Sequence, residues 1–210
     1  MKKIINSSLG VSILFNLVLI FTRNIWSGDF VYLFLVWNLF LAGIPLMISH
    51  WLQKRPETKA VLRYSMLFLW IIFLPNASYI ITDLKHLYLK PPVPFWYDTI
   101  LLFLSAVNGL LMGLMSIAQI EDLLFRVNSR YTKIIVRLVV FPAIGAGVYM
   151  GRYLRFNSWD IFISPNAIVS QLVNAKHLSM AVFTITFGLL NYALYKIYLT
   201  TFHSRHQGGF

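Results

Sequence analysis

The sequence is a succession of apolar runs of about twenty residues, the length that crosses a bilayer as helix, separated by short polar stretches. The runs fall at 4–21, 30–52, 60–82, 96–120, 132–154 and 178–199. A helix that long and that apolar all round has no solvent-facing side, so lipid must cover it. Soluble domains carry about a quarter charged residues. Here only 12% of 210 residues are charged, and the six runs use up the length. We therefore expect an all-α polytopic membrane protein, with 1–210 forming one six-span transmembrane domain.

The formal charge of +11 would suggest nucleic acid in a soluble chain. In a membrane chain, basic residues flanking the spans set topology instead, so no nucleic-acid partner is expected. The absence of cysteine excludes disulfides, thiolate metal sites and cysteine nucleophiles.

Met1-Lys-Lys followed by 4–21 has the outline of a signal peptide, but Trp26 stands where a small residue would permit cleavage. The reading is an uncleaved first span. The second span carries Trp37-Asn38, Gly43 and Pro45. In the third, Pro75 removes a backbone donor and predicts a kink or break, with Asn76 and Ser78 placed to satisfy the freed groups. Pro91, Pro92 and Pro94 prevent 83–95 from being one helix. Spans 4 and 5 each hold a GxxxG spacing, Gly109 with Gly113 and Gly147 with Gly151. That spacing lets backbones approach, either between these two spans or onto a second copy or membrane partner. Ser164-Pro165 reads as an N-cap and first-turn proline. The apolar face of Ile168, Val169, Leu172 and Val173 then predicts a short interfacial helix between spans 5 and 6. Residues 200–210 read as a flexible cytoplasmic tail.

Six spans put both termini on one side with the second and fourth connections. That side holds twelve Lys and Arg and the other six, so N- and C-termini are expected in the cytoplasm. Arg137 and Lys196 lie close enough to that surface to snorkel. Asp83, His86, Asp98, Arg152, Arg155 and Asp160 then belong to the outer face. Arg152 and Arg155 stand there against the positive-inside bias, among Tyr149, Tyr153, Phe156 and Trp159, which calls for an anionic partner.

Leu74-Pro-Asn-Ala-Ser-Tyr-Ile-Ile-Thr-Asp-Leu-Lys-His86, Trp96-Tyr-Asp98 and Gly151-Arg-Tyr-Leu-Arg-Phe-Asn-Ser-Trp-Asp160, with Trp37-Asn38 and Pro45, carry a family resemblance. The chain resembles the bacterial membrane-protein family known as domain of unknown function 1361, over about 30–199. Ser78 departs from its pattern, in which a proline is expected. The resemblance implies a bacterial inner-membrane location and brings no activity and no cofactor.

The residues leave several readings of the outer cluster open. Asp83 and His86, three apart, share a helical face and with Asp98 could hold a divalent metal or supply a general base. A lone histidine without paired spacing is a weak metal signal, so no metal is assigned. Arg152 and Arg155 could clamp a lipid phosphate or anionic envelope precursor, with Asn157, Asp160 and Asn76 as polar contacts and Tyr79, Trp96 and Trp159 as walls. In the structural alternative, Asp–Arg pairs tie helix ends together and the aromatics form an interface belt. A membrane enzyme on a lipid-linked substrate is the alternative function. Transport would need polar groups near midplane, where Asn38 and Asn108 are neutral and more often join helices.

Overall fold

A computed structural model describes residues 2–88, 91–125, 130–175 and 177–203, and its described secondary-structure elements are helical. Six helical stretches are long and apolar enough to cross a membrane: Ser7–Ser27, Phe34–Lys54, Ala60–His86, Phe95–Leu124, Lys133–Tyr153 and His177–Phe202. All six expected spans are present.

Helix α5 (Phe95–Phe125) is the centre of the bundle. Within its apolar window 67% of residues are buried, against 22–39% in the other five spans. On it pack α1 (Lys2–Ser27) and α2 (Phe34–Lys54), and α2 also carries α3 (Ala60–Phe73). Helix α6 (Arg130–Tyr153) pairs chiefly with α9 (His177–Tyr198). Lipid is as apolar as these side chains, so packing and interhelical hydrogen bonds must hold the helices together. The bonds are there. Ser12 Oγ donates to Asn108 Oδ1 at 2.7 Å, Ser105 Oγ to Asn16 Oδ1 at 3.0 Å, Ser49 Oγ to Gln119 Oε1 at 2.8 Å and Trp70 Nε1 to Ser116 Oγ at 3.2 Å. Asn108 thus joins helices, as its neutral amide near midplane suggested.

The third span breaks at Pro75. Helix α3 stops, Leu74 forms the turn, and the chain restarts as α4 (Pro75–Tyr79) and a 3-10 segment, Ile80–His86. Pro45 and Pro142 sit inside continuous helices, so proline alone does not decide the break. At Pro75 the side chain of Asn76 takes over the Phe73 carbonyl at 2.9 Å, the compensation expected of it. Ser78 does something else. Its hydroxyl donates to Asn191 Oδ1 at 2.6 Å, a buried bond joining the broken span to α9. Where the resemblance implied a proline, Ser78 thus supplies a tie between helices.

The glycine spacings serve this same broken segment. Helix α4 is wedged between α5 and α6, so spans 4 and 5 pack on it rather than mainly on each other. A Cβ on Gly109 would lie 2.7 Å from the Ala77 carbonyl oxygen, and one on Gly147 would lie 2.3 Å from the Pro75 ring. The faces that the spacing offered to a second copy are covered from within.

Helix α1 runs six residues past the expected end of span 1, so Arg23 and Asn24 lie inside a helix and are buried. Arg137 does not snorkel. Both its Nε and Nη2 reach the Glu121 carboxylate at 2.7 Å. Between spans 5 and 6 come α7 (Asp160–Ile163), which the sequence did not suggest, and the expected short helix α8 (Pro165–Asn174). Pro165 opens α8 as foreseen, but the Ser164 side chain makes no capping bond. Of its predicted apolar face, Ile168 is buried while Val169 and Val173 are exposed. The stretch Leu199–His203 continues α9 as π-helix, so the start of the expected loose tail is helical, and 204–210 lie outside the described residues.

Candidate functional site

The residues expected to form one cluster separate into three groups at the Asp83 end of the bundle. The first is a buried ion pair under the 3-10 segment. Arg152, in the last turn of α6, donates to Asp83 Oδ1 and through Nε to Thr82 Oγ1 at 2.8 Å. Its guanidinium lies 4.2 Å from the Tyr79 ring centroid. Asn38 Nδ2 donates to the other carboxylate oxygen, Asp83 Oδ2, at 2.8 Å. Both Asp83 oxygens and the Arg152 fork are therefore engaged within the protein, tying α2, the third span and α6 together. Breaking such a pair on one side leaves a buried charge uncompensated.

The second group holds Asp98 apart from Asp83. Asp98 accepts from Arg23 Nε at 3.1 Å, and Arg23 Nη1 also reaches Asp29 Oδ1 at 2.6 Å and Ser27 Oγ at 2.6 Å. Arg23 is fully buried and lies 4.9 Å from the Tyr32 ring centroid. Burial, and after it the Asp98 charge, push the Tyr32 phenol well above its ordinary range. It stays protonated and donates to the His86 carbonyl at 3.2 Å, joining the two groups through backbone. The His86 ring packs against Phe34, with centroids 5.4 Å apart. Among the described residues no three His, Asp or Glu side chains gather as metal ligands.

Arg23 is the arrangement's main surprise. The signal that could have found it was the one applied to Arg152 and Arg155: a cation on the side of the positive-inside minority. Read as a loop residue, it drew no question. Tyr32 and Thr82 carried no comparable signal.

The third group lines a cavity. Its volume is about 510 Å³, and it lies among α2, α3, α4, α6 and the segment that follows α6. Leu41, Ile71, Ile72, Ala143, Ala146 and Ile168 give it an apolar wall, and Trp37, Asn38, Asn76, Tyr79, Asn157 and Ser158 supply its aromatic and polar parts. Arg155 is the one cation among the described lining residues, which include no carboxylate, no histidine and no lysine. Arg152 is not among them. The arginine pair of the sequence is thus divided: Arg152 closes an internal ion pair and Arg155 faces the cavity.

Arg155 has two unusual properties. Its backbone is left-handed, with φ at +61°, at the helix C-terminal position usually given to glycine. The Phe156 amide passes over it to reach the Met150 carbonyl at 3.2 Å. Its exposed side chain makes no ion pair or hydrogen bond with any described residue. By contrast Asp160 is used locally, accepting from the Asn157 backbone N–H at 2.7 Å and side-chain amide at 3.4 Å. Trp159 meets Trp37 edge-on at 6.3 Å and so backs the cavity wall. Trp96 is exposed on the first turn of α5, beside Tyr97, and does not line the cavity.

Fold and site together define a multi-pass α-helical membrane protein whose broken third span braces an ion-paired cluster beside a cavity. The chain belongs to the family described as protein of unknown function (DUF1361), whose model matches residues 37–194, more than half its length. No curated protein and no solved structure matches it significantly.

Proposed function

We propose that the protein binds an anionic amphiphile, a phosphate-bearing lipid or lipid-like envelope precursor, in the Arg155 cavity. The observation that carries this reading is the Arg155 guanidinium, unpartnered among the described residues, at a cavity whose remaining described wall is apolar and neutral-polar. A planar fork with no acceptor among the described residues suits a phosphate or carboxylate, and Leu41, Ile71 and Ile72 suit a hydrocarbon chain. The left-handed backbone supports it further. Arginine there costs about 1–2 kcal/mol that glycine would avoid, so the side chain itself has a use.

Binding is favoured over chemistry by the composition of the cavity. Acid–base catalysis on a lipid-linked substrate would need a carboxylate or imidazole in reach. The lining has neither, and Asp83 is saturated by Arg152 and Asn38. On the positive-inside bias the cavity faces away from the cytoplasm, in the cytoplasmic membrane of a bacterium, with both termini inside.

The test is mass spectrometry of lipids retained after extraction in native lipid discs, comparing wild type with Arg155→Gly. An anionic species enriched over bulk membrane in the wild type and lost in the variant is the expected result. Identical lipid profiles for the two proteins would sink the reading.

A further inference from the structure

The polar part of the cavity points to the headgroup its ligand carries, an inference that rests on the anion-binding reading above. Asn38 and Asn76 have their amide orientations fixed by partners that can only accept. Asn38 Nδ2 meets a carboxylate oxygen of Asp83 at 2.8 Å, and Asn76 Nδ2 meets the Phe73 carbonyl at 2.9 Å. Each Oδ1 is therefore the oxygen, and neither accepts a hydrogen bond from a described residue. Neither is sealed off as a buried orphan, and both residues line the cavity. The wall thus presents two acceptors that ask for donors, besides a cation that asks for an anion. Ser158 Oγ accepts from Asn76 at 2.7 Å, which leaves its proton free to donate.

Two kinds of headgroup donor could meet those oxygens, an ammonium or a hydroxyl. An ammonium would enter a site that holds Arg155 and no carboxylate among its lining residues, where like charge repels it. A hydroxyl carries no charge, donates to an asparagine oxygen and accepts from Ser158. We infer that the cavity selects a phosphate-bearing lipid with a hydroxylated headgroup, of the glycerol or sugar kind, over anionic or zwitterionic lipids lacking hydroxyls.

The decisive comparison changes the lipid and leaves the protein untouched. Wild type in discs doped with phosphatidylglycerol is compared with discs doped with phosphatidylmethanol, which has the same charge and chains but no headgroup hydroxyl. Retention is read by native mass spectrometry, with Arg155→Gly run beside it. The expected result is a preference of roughly tenfold for phosphatidylglycerol, the scale two added hydrogen bonds give. Equal retention of both lipids, each lost in Arg155→Gly, overturns the hydroxyl inference and leaves the anion reading standing. Retention of either lipid that is indifferent to Arg155→Gly overturns the anion reading and this inference with it. A third arm adds soluble glycerol 3-phosphate, which has the phosphate and hydroxyls without a chain. It should fail to displace the lipid at matched concentration, and efficient displacement would refute a membrane lipid as the occupant.

Discussion

Arg155 and Arg152 are three residues apart and have opposite roles, and one substitution at each separates them. Replacing Arg155 by glycine removes the cavity's cation while relieving a left-handed backbone. Relief of about 1–2 kcal/mol is set against about 0.5–1 kcal/mol for the added freedom of glycine in the unfolded chain. Thermal unfolding in detergent should therefore show stability unchanged or slightly raised, although lipid retention falls. A clear loss of stability would mean that the Arg155 side chain braces the fold. Arg152→Ala should do the reverse. It strands Asp83, which is 1% exposed, and buried pairs broken on one side cost about 3–5 kcal/mol. Joint replacement of Asp83 and Arg152 by apolar residues should recover much of that loss, because no charge is then left buried. A double variant as unstable as the worse single one would show that the charges themselves are required.

At the scale of elements, the organising fact is that the third span does not cross as one helix. Its second half is a short helix and a 3-10 turn that α5 and α6 grip through glycine faces. Gly147→Leu should consequently disturb α4 rather than any contact between chains. Pro75 would have to move, carrying Asn76 and Tyr79 of the cavity wall with it. The expected result is a lowered unfolding temperature together with weaker lipid retention. Lost self-association without either effect would return the glycines to an intermolecular role. The break at Pro75 was legible in the sequence because proline acts through local backbone chemistry. Pairing of Asp83 with Arg152 or Arg155 was legible as the structural alternative, though not which arginine; the partner of Asp98 was not, because only the packing of α1 on α5 brings Arg23 to it. The left-handed residue Arg155 left no trace either, since nothing in its neighbours forces φ positive. The bond from Ser78 to Asn191 was not legible, because the two residues lie 113 apart in the sequence.

For the whole molecule, the expectation to test is orientation, with both termini on the side richer in lysine and arginine. Of the six cations on the minority side, Arg23 and Arg152 are buried in ion pairs and carry little free charge to that surface. On the other side Arg137 is likewise neutralised, by Glu121. Because the chain lacks cysteine, single cysteines can report the topology without background. Asn166 is exposed on α8 at the cavity end, and Glu57 is exposed in the connection between α2 and α3. Asn166→Cys should react with a membrane-impermeant maleimide on intact cells, whereas Glu57→Cys should react only after lysis. Neither position touches the ion pairs or the cavity wall, so both variants should fold. The reverse pattern would turn the molecule over. It would place the Arg155 cavity in the cytoplasmic leaflet, and its ligand would then be sought among lipids made and consumed inside the cell.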